Sequence, residues 1–148
     1  NYNFTLLFNY GPTGSYYHEI KDRVKNKPYF TLVEDFIAPE KFNDFYQDIS
    51  ALVINSYRQM AGANILLALR NGTKVYLNDK NVHMQWLKNE GFSVFSLAEL
   101  DEDLKNGNVQ LDRNTAEKNL KQLEKLPQKY AIDNFQRELY SKIVNSKV

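Results

Sequence analysis

Short apolar runs alternate with helically spaced apolar positions along most of this chain. Phe4 to Asn9, Tyr29 to Val33, Ala51 to Ile54, Lys74 to Leu77 and Phe92 to Phe95 are short, mostly apolar and bounded by polar turns. Runs of that length predict buried strands. Between them, apolar residues are spaced as on one face of a helix. Tyr17, Ile20 and Val24 follow Ser15, a capping residue, and Asn26-Lys27-Pro28 closes that segment. Phe42, Phe45, Tyr46 and Ile49 follow Pro39, which suits a first helical turn. Val82, Trp86 and Leu87 lead to Gly91, a helix stop. Ser96-Leu97-Ala98-Glu99 has capping-box spacing, and Asn106-Gly107-Asn108 ends the helix it opens. This alternation from Phe4 to Phe95 predicts an α/β fold with a parallel sheet of about five strands and helices on both faces.

Ala51 to Leu77 is the centre of the pattern. A strand (Ala51 to Ile54) meets a polar turn (Asn55 to Gln59), then a run apolar on nearly every side (Ala61 to Leu69). Asn71-Gly72 stops that buried helix, and the Lys74 to Leu77 strand follows. This is one parallel crossover unit. Ligands in open α/β sheets sit beyond the carboxyl ends of strands, against helix N-termini. Ser56-Tyr57-Arg58-Gln59-Met60-Ala61-Gly62 falls at such a place. A cation there opposes the helix macrodipole, and an anionic ligand would explain it. The guanidinium of Arg58 and the backbone N–H groups of Met60 to Gly62 would together grip a phosphate. Ala61 and Gly62 are small enough for close approach. The competing reading is a surface arginine paired with a nearby carboxylate. The loop Tyr10-Gly11-Pro12-Thr13-Gly14 follows the first strand and would line the same sheet edge. It is not a Gly-x-Gly-x-x-Gly loop and reads as a plain turn.

The last forty residues change character. Asn114 to Leu126 carries Ala116, Leu120 and Leu123 on one stripe, and Pro127 is expected to interrupt it. Ala131 to Val144 carries Ile132, Phe135, Leu139 and Ile143 on another. The expected organisation is an α/β domain over residues 1–110 and a pair of C-terminal helices over residues 111–148 packing on it.

Composition narrows the chemistry. The 148 residues are 43% hydrophobic with a net charge of +1, so nothing indicates nucleic acid as a partner. Cysteine is absent, which excludes disulfides and thiolate metal sites and fits a reducing compartment. No apolar run approaches the roughly 20 residues of a membrane span. His18 and His83 lack metal-pair spacing and stand in no nucleophile motif. Asp101-Glu102-Asp103 matches the Asp-x-Asp pattern of metal-dependent sugar transferases, but it lies inside a predicted helix and reads as a solvated face. No metal or cofactor is expected.

The central stretch SYRQMAGANILLALRNGTKVY resembles the signature of the C-terminal domain of GT-B glycosyltransferases, whose fold is Rossmann-like. Ser56, Tyr57, Arg58, Gly62, Ala68, Gly72, Thr73 and Val75 fall at matching places. The acidic residue that often opens the turn is Gln59 here, and the one that often contacts the ribose is Leu67. A narrower family is more similar: bacterial transferases that move an N-acetylfucosamine-type amino-deoxy sugar from dTDP to an undecaprenyl-linked saccharide. They carry Arg-Gln-x-x-Gly, matched by Arg58, Gln59 and Gly62. The likeness extends back through Tyr10-Gly11, Tyr17 and Ile20, and forward through Val75 to Leu77, Asn81, Leu87 and Leu100-Asp101.

The resemblance implies a nucleotide-sugar-binding part of a two-domain enzyme of bacterial surface polysaccharide synthesis. It implies that this domain's first strand–helix unit, the acceptor-binding domain and the catalytic base lie outside this chain, so the chain alone should be inactive. Arg58, with the helix start at Met60 to Gly62, would stabilise the leaving diphosphate, beside Ser56 and Gln59. Asn9, Tyr10 and Gly11 would sit near the diphosphate or sugar. Glu34 to Ile37, Phe36 included, would meet the base or ribose, and Asn64 would reach the ribose. The implied partners are a dTDP-sugar and a lipid-linked acceptor, and the implied location is cytoplasmic, at the inner face of the plasma membrane. The alternative is an α/β module that binds a ligand or protein without chemistry.

Overall fold

The computed structural model describes residues 2–8 and 14–129. Asn9, Tyr10, Gly11 and the helix expected over Ala131 to Val144 lie outside the described residues. The chain is α/β and divides into two compact units, Asn1–Asn43 and Asp44–Val148.

The first unit is a β-α-β element. Strand β1 (Phe4–Leu7) and strand β2 (Phe30–Val33) pair in parallel through helix α1 (Ser15–Val24). Phe4 stacks on Phe30 at 5.1 Å between ring centroids, which adds a cross-strand aromatic pair to the ladder. Val24 is buried on the inner side of α1, as its apolar spacing requires. Helix α2 (Pro39–Gln47) starts at the expected proline.

The second unit holds strands β3 (Ala51–Ile54), β4 (Lys74–Leu77) and β5 (Phe95–Ser96), all parallel, in the order β3-β4-β5. Helix α3 (Gly62–Arg70) connects β3 to β4, and helix α4 (Val82–Asn89) leads toward β5. Helix α5 (Leu97–Asn106) opens with the capping box expected at Ser96 and Glu99. Helix α6 (Arg113–Lys129) packs on α3. The centre of this unit is β4, where Val75, Tyr76 and Leu77 have no exposed surface. Burial there comes from neighbouring strands on both edges and helices over the faces. Tyr46 is also fully buried, and that burial pushes its phenol up to about 12.

Three expectations are corrected. The strands form a two-stranded and a three-stranded sheet, not one sheet of about five. Periodicity marks a strand as buried but says nothing about which edges share hydrogen bonds. The last strand is Phe95–Ser96, not Phe92 to Phe95, because Phe92 N–H donates to Leu87 O and continues the turn after Gly91. Pro127 does not interrupt its helix: it stands in the final turn of α6, where it removes one hydrogen bond without splitting a long helix.

One buried amide ties α6 to the segment before β5. Asn119 is fully buried, its Oδ1 accepts from Ser93 N at 2.8 Å and its Nδ2 donates to Ser93 O at 3.1 Å. Gly72 admits the same helix closely: a Cβ there would stand 3.4 Å from Ala116 Cβ.

Candidate functional site

The turn between β3 and α3 is built by its own side chains. Ser56 Oγ accepts from Arg58 N at 3.1 Å and donates to Met60 Sδ at 3.4 Å. A serine bonding two residues ahead is a local backbone trap, and it holds Tyr57, Arg58 and Gln59 outward. Tyr57 and Met60 are exposed, and Lys80 Nζ lies 5.6 Å from the Tyr57 ring centroid.

The β4–α4 turn ties this loop down. Asn81 is 2% exposed and both ends of its amide are used. Its Nδ2 donates to Ser56 O at 2.7 Å and to Arg58 O at 3.4 Å. Its Oδ1 accepts from His83 N at 2.9 Å, which caps α4. Asn78 Nδ2 donates to Asn55 Oδ1 at 2.8 Å and joins the two turns at a second point. Both turns follow the carboxyl ends of adjacent parallel strands, so they meet at one end of the sheet.

Helix α3 then begins without a cap. Among the described residues no side chain caps its N-terminus, and its first internal bond is Ile65 N to Ala61 O at 2.9 Å. The N–H groups of Gly62, Ala63 and Asn64 therefore have no partner within the helix. The preceding residue, Ala61, is left-handed, with φ 58 and ψ 27. It is the one non-glycine residue with positive φ among the described residues. Strain of that kind persists where surrounding contacts impose it and clusters at ligand sites. Ala61→Gly should relieve it and stabilise the fold by about 0.5–1 kcal/mol. Thermal unfolding checks this: a lower midpoint than wild type would mean the conformation costs nothing.

Among the described residues, no carboxylate pairs with Arg58. The bland reading of a surface arginine in an ion pair thus finds no partner there. Ser56, Arg58, Gln59, Met60, Ala61, Gly62 and Asn64 all belong to this one end of the second unit. Glu34 and Phe36 belong to the first unit. Glu34 is engaged by Lys21 Nζ at 3.0 Å, and Phe36 is exposed.

Two residues of the site escaped the sequence reading. Asn81 reads in the sequence as the end of a polar turn, although Asn before Val82 also carries a helix-capping signal. The place of His83 against the start of α3 has no local signal, because the two are brought together only by strand pairing.

The Asp-x-Asp segment is the clearest correction. Asp103 is not on a solvated face. Its Oδ2 accepts from Lys74 Nζ at 2.6 Å and from Tyr76 Oη at 2.6 Å. These hydrogen bonds, Lys74's first, hold its carboxyl below the usual carboxylate range. Lys74 also donates to Asn108 O at 2.9 Å and lies 4.5 Å from the Phe95 ring centroid. An open depression of about 420 Å³ lies here, lined by Lys74, Phe95, Glu99 and Glu102 among others. It is at the amino end of β4, whereas the Arg58 turn is at the carboxyl end of the sheet. The Asp103 carboxylate is committed to internal partners, whereas Asp101 and Glu102 are exposed, as the solvated-face reading expects.

Among the described residues, no group of three or more His, Cys, Asp or Glu could hold a metal ion, and no helix is long and apolar enough to cross a membrane. Comparison with protein-family models, curated proteins and solved structures found no match.

Proposed function

We propose that this chain binds the donor of a glycosyltransferase, a nucleotide sugar of the dTDP type. The carrying observation is Arg58. It stands free of carboxylates among the described residues, on a turn tied by Asn81, next to an uncapped helix start. A guanidinium beside free N–H groups favours a dianionic phosphate ester.

In glycosyl transfer the anomeric C–O bond breaks and its electron pair stays on the diphosphate oxygen. Negative charge grows on that diphosphate in the transition state. The N–H groups of Gly62 to Asn64 are held by the helix before the reaction, and Arg58 adds its charge from a turn whose backbone is tied at N and O. Ser56 acts indirectly, by holding the Arg58 backbone. Exposed Tyr57 offers a ring beside the cation for the sugar or base. On this reading the acceptor is a lipid-linked saccharide held by another domain, and the work is done at the cytoplasmic face of a membrane.

Titration of the chain with dTDP, UDP and GDP, without and with Mg²⁺, tests the reading. Binding of dTDP above the others is expected. Arg58→Ala should weaken dTDP about tenfold to a hundredfold, the range for a hydrogen bond to a charged group, while leaving thermal unfolding unchanged. Equal dTDP affinity in wild type and variant would remove Arg58 from the site. Binding of none of the three would remove the donor reading and favour a module without this chemistry.

A further inference from the structure

His83 stands at the second position of α4, a residue for which the donor reading above gives no role. Its Nε2 has no exposed surface and no hydrogen-bond partner among the described residues. A buried polar atom left unsatisfied carries its full desolvation cost, so it needs an explanation. The ring tip faces the first residue of α3. A Cβ on Gly62 would stand 3.4 Å from His83 Cε1 and 3.5 Å from Nε2. A ring flip exchanges those two atoms, so a nitrogen faces Gly62 in either orientation.

The imidazole is also positioned. Its backbone N–H is fixed by Asn81, the residue that fixes Ser56 O and Arg58 O. Trp86 meets the ring edge-on at 6.3 Å. One buried amide thus anchors the His83 backbone and the Arg58 turn together.

We propose that His83 is a further donor-binding residue, whose ring tip hydrogen-bonds a non-bridging oxygen of the diphosphate held by Arg58 and the start of α3. This rests on the donor reading of the same site. The ring is half-buried, and its Nε2 has no hydrogen bond to break. Lifting the ring tip off Gly62 exposes the nitrogen beside free N–H groups. Glycine at position 62 keeps the α3 backbone bare beneath the ring tip.

The test is ¹⁵N imidazole NMR on the full chain, titrated with inorganic pyrophosphate and with dTDP. The His83 signal is assigned against His18 by its loss in His83→Gln. The His83 nitrogens should shift in step with binding. His83→Leu should weaken both probes about tenfold, and His83→Gln, with an amide nitrogen near the place of Nε2, should recover most of that loss. If dTDP binds in an Arg58-dependent way while the His83 nitrogens stay still, the His83 contact is overturned and the donor reading stands. If pyrophosphate moves His83 but the nucleoside adds no affinity, the anion contact stands and the nucleotide reading falls. If neither probe binds, both are overturned.

Discussion

Asp103→Ala should lower stability by about 2–3 kcal/mol, although the residue lies in a segment that resembles a surface metal motif. The lysine it pairs with explains the size. The side chains of Lys74 and Asp103 are 9% and 18% exposed, and the ammonium sits between Asp103 and Asn108 O. Removing the carboxylate leaves a mostly buried cation with a single backbone acceptor, and takes one hydrogen-bond acceptor from Tyr76 Oη. Breaking a fully buried pair from one side costs about 3–5 kcal/mol, and partial exposure here reduces that. Asp103→Asn should cost less, since the amide oxygen still accepts from one donor. The acid limb carries the same information. A carboxyl whose folded pKa is lowered adds stability above its unfolded pKa near 4 and loses it as pH falls through the folded value. Wild type should therefore lose stability below about pH 4 more steeply than Asp103→Ala. Chemical denaturation at pH 7 and pH 3 measures both. An unchanged midpoint at pH 7 would return Asp103 to a solvated face.

Asn81→Ala should cost about 2 kcal/mol and should also weaken donor binding, without Asn81 touching a ligand. The cap on α4 accounts for about 1 kcal/mol. The rest is the loss of an amide donor from Ser56 O and Arg58 O at a buried position. The variant Asn81→Asp separates the two effects. Its carboxylate still accepts from His83 N, so the helix start survives. It cannot donate to the two carbonyls, and a negative charge then faces them. Asn81→Asp should keep the α4 cap, but a buried carboxylate facing two carbonyl oxygens should cost stability and loosen the Ser56–Met60 turn, with dTDP affinity falling about tenfold. Equal affinity in Asn81→Asp and wild type would mean the turn holds Arg58 unaided.

Much of the local structure was legible because it depends on neighbours in sequence. The capping box at Ser96 and Glu99, the glycine stop after α4, proline at the start of α2 and the buried strand–helix–strand unit around Ala51 to Leu77 all follow from backbone hydrogen-bond demands within a few residues. The candidate turn was found the same way. A polar segment with a cation and a glycine between two buried elements has few roles in an α/β fold.

What failed depended on distance. Asp103 reads as solvated because its helix stripe is polar, yet Lys74, 29 residues earlier, draws it inward. Lys74 itself reads as a strand-end charge and is buried by β5 and α5 around it. The division into two sheets was hidden for a similar reason: strand pairing is a choice among edges, and alternation of apolar runs does not encode that choice.

The sequence by itself determined the α/β alternation, most of the strands and helices, and the polar turn that precedes α3. The period of apolar residues and the demands of helix ends are short-range physics, written residue by residue. Only the tertiary structure decided that Asn81 holds the Arg58 turn, that His83 lies against Gly62, and that Asp103 serves Lys74 and Tyr76. Each of those pairs is joined by parallel strand pairing or by packing onto β4. A hydrogen bond across such a contact depends on where the backbone arrives, and that is fixed only when the core closes.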